Sequence, residues 1–374
     1  MPVKVALIVG TRPEAIKMAP VVLKMRQITN VFSPILIATA QHREMLDQVL
    51  ALFDLQPDYD LDIMQPGQSP CDVTSGVLTR LQPVLQAECP DIVMVQGDTT
   101  STFAGALTAF YLKIPVAHVE AGLRTYNKHH PFPEEINRRM VSVLADWHFA
   151  PTEQARVNLL REGVAPERVF VTGNTVVDAL QMILSRPAPP LPAFVTRQRQ
   201  GQRLLLVTAH RRENWGQSLE HICHALRVIG QRFPEVVIVF SVHPNPNVQR
   251  IVRQELQDAP RIHLLEPVPY LDFVHLMARS DLILTDSGGV QEEAPSLGKP
   301  VLVLREVTER PEGVEAGVLK VIGTNAERIV AEVARLLTDR AAYHEMAQRC
   351  NPYGDGHAAE RIVEILQRSW GCVS

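Results

Sequence analysis

Carboxylates, imidazoles and guanidiniums recur in this chain just past short apolar runs, the places where a sheet would deliver side chains to one edge. The first cluster, Gly10-Thr11-Arg12-Pro13-Glu14-Ala15-Ile16-Lys17, leaves an apolar run and enters a helical pattern. Thr11 and Glu14 have the spacing of a capping box. Arg12 and Lys17 put two cations at a helix N-terminus, against the helix dipole, unless a phosphate or a partner carboxylate joins them. The segment is neither GxGxxG nor GxxxxGK[ST], which disfavours dinucleotide and P-loop binding. In Gln96-Gly97-Asp98-Thr99-Thr100-Ser101, Asp98 taken alone reads as an N-cap. Glu120, in His118-Val119-Glu120-Ala121-Gly122-Leu123-Arg124, lies beyond an apolar run and needs a cationic or hydrogen-bonded partner, so a site and a structural ion pair both fit. Further on, Glu134/Arg138 and Glu135/Arg139 have the i, i+4 spacing of surface pairs.

The second half repeats the pattern. His210 and His243 each end an apolar run, and two histidines so placed in adjacent turns point to more than structure. In Thr285-Asp286-Ser287-Gly288-Gly289-Val290-Gln291-Glu292-Glu293, glycines between strand and helix let backbone amides approach a phosphate at the positive helix end. Glu293, one turn in, is placed to accept hydrogen bonds from a ribose diol, and Arg310 adds a cation in a later loop. Asp58, Asp60 and Asp62 imitate a metal-binding DxD, but the same alternation describes a solvated strand face. His129-His130 lacks partners at metal-ligand spacing.

The elements that must position these groups alternate regularly. Strand-like runs at 3–9, 34–38, 91–95, 115–119 and 169–172 are separated by helical patterns such as 19–26, 43–52, 73–86 and 100–111. Runs apolar throughout suit parallel strands covered on both faces. Pro187, Pro189, Pro190 and Pro192, then a polar Arg/Gln stretch, break the pattern. Alternation resumes at 204–208, 236–242, 262–265, 281–285 and 301–304. The expectation is α/β architecture: two Rossmann-like doubly wound domains, 1–186 and 203–357, facing across a cleft. A hinge at 187–202 would join them, and a C-terminal helix in 358–374 would cross back to the first.

Length and composition agree. A chain of 374 residues suits two domains, since single cores seldom outgrow ~250–300 residues. A net charge of −4 argues against a general nucleic-acid binder, which needs a basic surface. The five cysteines are scattered and never spaced CxxC, as reduced structural thiols would be. No apolar run approaches the ~20 residues that span a bilayer, and the N-terminus does not read as a signal peptide, so a cytoplasmic protein without membrane contact is expected.

Taken together, GTRPEAIKMAP, QGDTTST, HVEAGLRT, PFPEEINRR, GNTVVDAL, HRREN, TDSGGVQEEAPSLGKPVLVLR and TERPEG resemble the non-hydrolysing bacterial UDP-N-acetylglucosamine 2-epimerases, in order from residue 1 to beyond 360. The resemblance implies a glycosyltransferase-B-like fold, a homodimer, UDP-N-acetylglucosamine and UDP as ligands, a role in cell-surface polysaccharide precursor synthesis, and neither metal nor nicotinamide cofactor. By motif position Asp98, Glu120, Glu134 and His210 resemble the family's catalytic group. Arg12, Lys17, Arg138, His243, Ser287, Gly288, Gly289, Glu293 and Arg310 resemble its substrate contacts, and Phe273 the position whose backbone helps hold uracil. Some relatives bind a second UDP-N-acetylglucosamine as activator; the Gln41-His42-Arg43 segment is similar to theirs, but Glu44 and Gln65-Pro66-Gly67-Gln68 depart from it.

The chemistry such an enzyme needs is restrictive. C2 of a nucleotide sugar has no adjacent carbonyl, so direct deprotonation is very hard. Expelling UDP from C1 makes the C2 proton acidic, and its removal leaves 2-acetamidoglucal. Protonation of C2 from the opposite face, with return of UDP, gives the manno epimer. Asp98, Glu120 and Glu134 are the acid/base candidates, with His210 near the leaving diphosphate. Closure about the proline-rich hinge would exclude water. A UDP-sugar transferase of the same fold, a hydrolysing 2-epimerase and a non-catalytic nucleotide-sugar sensor are the competing readings.

Overall fold

Runs such as VKVALIV and RLLLVT are apolar on both alternating faces because helices cover both sides of the sheets they enter. The computed structural model describes residues 1–41, 43–196 and 201–371; His42, Cys372 and part of the expected hinge lie outside them. The chain divides into two compact units, Met1–Gln181 with Tyr353–Ser374, and Met182–Pro352.

The first unit holds a seven-stranded parallel sheet made of β1 (Val3–Val9), β2 (Phe32–Ala38), β3 (Tyr59–Asp60), β4 (Ile92–Gln96), β5 (Val116–Val119), β6 (Trp147–Ala150) and β7 (Val169–Val171), in the order β3-β2-β1-β4-β5-β6-β7. Its core includes Ile8, Ile37, Val77, Leu81, Val93 and Val95, all nearly or fully buried. The helix Ala358–Gly371 packs on the helix Arg12–Arg26, and its first amides, Ala358 and Ala359, donate to the buried Asp178 carboxylate. The second unit holds a six-stranded parallel sheet of β8 (Arg203–Thr208), β9 (Val236–Ser241), β10 (Ile262–Leu265), β11 (Leu282–Thr285), β12 (Val301–Val303) and β13 (Leu319–Val321), ordered β10-β9-β8-β11-β12-β13. Its core gathers Leu205, Val207, Leu226, Phe240, Leu284 and Leu302.

Strand order reverses direction at β1/β4 in one unit and β8/β11 in the other, the doubly wound arrangement in which crossovers part to opposite faces and leave a crevice at the strand ends. Clusters read from sequence follow all four of these strands.

Three local features bear on the expectations from sequence. First, the units divide near the end of the helix Thr175–Leu184, between Gln181 and Met182, and again at Pro352/Tyr353, a few residues before the expected hinge over 187–202 and the expected C-terminal boundary at 357/358. Part of the 187–202 stretch is packed: Ala193–Thr196 is a helical turn, and the Phe194 ring stacks on His263 at 3.8 Å. Proline there removes amide donors without preventing an apolar contact. Second, Thr11 forms no capping box, since its hydroxyl makes no cap bond. Glu14 instead accepts from the Gly10 amide and from the hydroxyls of Thr99 and Thr102, tying the turn after β1 to the turn after β4. Third, the alternating aspartates are not a strand face. Only Tyr59–Asp60 is strand, Asp58 accepts the Leu36 amide, and Asp60 and Asp62 both pair with Arg43. No group of three or more potential metal-ligating side chains gathers among the described residues, and none of their helices is long and apolar enough to cross a membrane.

Candidate active site

In the first unit the turns after β1, β4 and β5 converge. Glu120 follows β5 directly, is 8% exposed, and has φ +64°, a left-handed conformation a non-glycine residue holds only where its surroundings enforce it. Its Oε1 lies 2.5 Å from Lys17 Nζ and accepts from Asn174 Nδ2 at 3.3 Å, while Oε2 accepts from the Gln96 amide. A buried carboxylate requires such partners. The two cations expected at the start of Arg12–Arg26 therefore part company: Lys17 is buried against Glu120, and Arg12 is exposed.

Asp98 is not the cap of the next helix. Thr99 is, accepting from the Thr102 amide. The Asp98 carboxylate is freed for a long-range partner, Arg138 Nη2, at 2.5 Å. Asn137 Nδ2 donates to the Asp98 carbonyl at 3.0 Å. The i, i+4 surface pairs read from sequence are also corrected: Arg138 is buried between Asp98 and Glu135, and Arg139 faces Glu162 at 3.7 Å. Glu135, fully buried, accepts the Thr125 and Tyr126 amides, which pins the loop before this helix. Glu134, half-buried, opens the helix Glu134–Leu144. Gln96, Asn137 and Asn174 were not singled out from sequence; their spacing to Glu120 and Asp98, which they contact, is set by tertiary structure, and only their position near element ends signals them.

In the second unit Asp286, fully buried after β11, organises the turn after β8. It accepts the backbone amides of His210 and Arg211 at 2.8 Å each and Asn214 Nδ2 at 2.9 Å, and its Oδ1 lies 3.2 Å from His210 Nδ1. The imidazole of His210 is thereby oriented, and it stacks on His243, ring centres 5.4 Å apart. Gly288 and Gly289 begin a short helix, so their first-turn amides have no intrahelical acceptor. A Cβ at Gly288 would sit 3.4 Å from Arg310 Nη2 and 3.6 Å from Arg211 Nη2; one at Gly289 would sit 3.6 Å from Glu293 Oε1. Ser287, Gly288, Gly289, Glu293 and Arg310 are thus neighbours. Arg310 also binds Glu292 Oε1 through Nη2 at 2.6 Å, and Glu309 through Nη1 at 3.5 Å. Burial alone would raise the Glu309 carboxyl, but the hydrogen bond from Arg305 and the charges of Arg310, Arg305 and Arg211 outweigh it and hold it down at about 2. Phe273 stands apart in the first turn of Tyr270–Arg279, its amide donating to the Pro269 carbonyl at 3.0 Å.

The arrangement offers hydrogen-bonded carboxylates in one unit and an amide-and-guanidinium cradle with an oriented imidazole in the other. Comparison with known proteins points the same way. The family model described as UDP-N-acetylglucosamine 2-epimerase matches residues 24–367. The chain is 53% identical over 370 residues to UDP-N-acetylglucosamine 2-epimerase of Yersinia pestis (97% of this chain, 98% of that one), and 52% identical over 368 residues to that of Bacillus subtilis (98% and 96%). Among solved structures it is similar to UDP-GlcNAc 2-epimerase from Neisseria meningitidis bound to UDP-GlcNAc, with TM-score 0.89 and 48% identity over 98% of this chain and 100% of that one. It is also similar to the Methanocaldococcus jannaschii UDP-GlcNAc 2-epimerase in complex with UDP-GlcNAc and UDP, with TM-score 0.81 and 37% identity over 98% and 99%.

Proposed function

The chain belongs to the UDP-N-acetylglucosamine 2-epimerase family, and from that premise we propose that it interconverts UDP-N-acetylglucosamine and UDP-N-acetylmannosamine by eliminating and re-adding UDP. The observation that carries this reading is the pair Asp98 and Glu120, just past the ends of adjacent strands, each carboxylate paired with a cation, with Asn137 donating to the Asp98 carbonyl and Gln96 and Asn174 to the Glu120 carboxylate. Epimerisation by elimination needs proton carriers for two faces of C2, and Asp98, Glu120 and Glu134 supply them. The amides of Gly288 and Gly289 with Arg310 would hold the diphosphate, and His210, oriented by Asp286, would stabilise it as it leaves C1. Glu293 would receive the ribose, Phe273 the base, and Arg12, Arg138 and His243 the remaining polar groups of the substrate. Lys17 serves the site through Glu120. The reaction as written needs no redox cofactor, because the C1–O bond breaks and reforms with its electron pair on UDP.

Epimerisation in heavy water tests this. The proton returns to C2 from a solvent-exchangeable side chain on the opposite face, so the manno product is expected to carry deuterium at C2 almost completely, with slow leakage of 2-acetamidoglucal and UDP. Epimerisation without deuterium uptake and without detectable glycal would overturn the mechanism. Free N-acetylmannosamine as the main product would make the enzyme a hydrolysing one. The same reading takes the protein to act as a cytoplasmic homodimer feeding cell-surface polysaccharide synthesis; a sedimentation mass of one chain at working concentration would remove the dimer.

A further inference from the structure

His118 lies in the middle of the acid/base region without belonging to it. Its ring sits at the end of β5, fully buried, and Nε2 is 2.7 Å from the Gly97 carbonyl oxygen. A carbonyl only accepts, so Nε2 carries the hydrogen, and the buried Nδ1 has no hydrogen-bond partner among the described residues. Burial, reinforced by the charges of His148, Arg124 and Arg138 and opposed by the Gly97 bond, pushes the imidazole down to about 3. The ring is a fixed neutral donor and has no proton to trade at working pH.

What it donates to matters. Gly97 has φ +73°, a conformation that other residues seldom take, and its amide donates to the Val119 carbonyl at 3.0 Å. The short segment between β4 and the next helix is therefore bonded to β5 twice at Gly97, once through backbone and once through the His118 ring. Asp98 is the next residue along one chain segment, and Glu120 is two residues along the other. We propose that His118 is a positioning residue that fixes the Gly97–Asp98 turn against the strand carrying Glu120, and so sets the placement of the two carboxylates relative to each other. This rests on the reading of Asp98 and Glu120 as proton carriers at C2. The Glu14 bonds to Gly10, Thr99 and Thr102 secure the far side of the same turn, and Asn137 secures the Asp98 carbonyl, which leaves the Gly97 carbonyl to His118.

The test compares His118→Phe, which keeps a flat ring but loses the donor, with His118→Gln, whose amide N–H reaches for the same carbonyl. A displaced acid or base costs rate steeply with distance, so kcat is expected to fall about tenfold or more in His118→Phe. KM and UDP affinity should stay within about twofold, since the lost group is fully buried and spends its donor on the Gly97 carbonyl. His118→Gln should recover most of the loss. Parental kcat in both variants, or a loss in His118→Phe that His118→Gln does not reduce, overturns the proposal. Nitrogen NMR of the parent gives an outcome that no variant has to fold to provide: a neutral Nε2–H ring between about pH 5 and 8 supports it, and a charged or Nδ1–H ring overturns it. Deuterium uptake by the parent separates the two levels. Its absence overturns the acid–base reading, whereas normal uptake with parental kcat in both variants overturns the role of His118 alone.

Discussion

Asp98 and Glu120 carry the same charge on neighbouring turns, but the structure holds them differently, and the difference is measurable. Glu120 is paired with a lysine that is itself buried, whereas Arg138, the partner of Asp98, also lies 3.7 Å from Glu135. Changing either carboxylate to its amide is expected to leave UDP binding intact and to lower turnover at least ~10²-fold, the usual scale for losing an acid or base. Stability should separate them. Glu120→Gln takes a carboxylate charge away from the buried Lys17, a loss on the order of 3 kcal/mol, while Asp98→Asn leaves Arg138 with Glu135 and should cost clearly less. Urea unfolding of the two variants checks this; equal losses would mean that Lys17 has other sufficient partners. The sequence made Glu120 legible, because a carboxylate ending an apolar run must be paired. It hid Asp98, since Asp-Thr-Thr before a helix offers two caps, and which one is used depends on an arginine 40 positions later.

At the scale of elements, strands that hold consecutive aliphatic residues were readable, even with Lys4 or His263 among them, and short ones without such a run were not. β1, β8 and β10 fall within a residue of the expected bounds, whereas β6, with the sequence WHFA, and β13, LKV, have no all-apolar stretch to mark them. The helix Arg12–Arg26 begins seven residues before the expected 19, because Pro13 is tolerated in a first turn and Pro20 is accommodated within the helix. β6 exacts a consequence for its polar centre: His148 pairs in register with His118 of β5, and burial pushes its imidazole down to about 4. Its folded pKa lies below the ordinary 6.5, so the unfolded chain binds the proton more readily between these values. Stability from this group is complete above about pH 6.5 and is lost as pH falls toward 4. His148→Phe should therefore remove roughly 2–3 kcal/mol of the decline between pH 7 and 4.5, read from urea midpoints. If parent and variant decline in parallel, His148 is not buried in its neutral form.

At the scale of the whole molecule, each unit has its own sheet and its own core, and the proposed chemistry divides between them: proton carriers in the first, diphosphate and ribose contacts in the second. The alternation of apolar runs made both sheets legible, whereas the passage from one unit to the next near the end of the helix Thr175–Leu184 has no sequence marker, since an apolar helix reads the same on either side of such a boundary. Dividing the labour in this way predicts where UDP acts. UDP alone should stabilise the protein by about 2.7 kcal/mol at a concentration 100 times its dissociation constant. Hydrogen-exchange protection should concentrate at the turns after β8 and β11, in Met182–Pro352, and be weak at the turns after β4 and β5. Gly288→Val should abolish both effects without unfolding the chain: the nearest atoms to its new Cβ are the mobile ends of Arg310 and Arg211, at 3.4 and 3.6 Å, and they can yield. The isopropyl group would then fill the space the diphosphate needs beside the helix start. Calorimetry showing parental UDP affinity in that variant would place the diphosphate elsewhere, and protection spread equally over both units would show that the nucleotide is not held by the second unit alone.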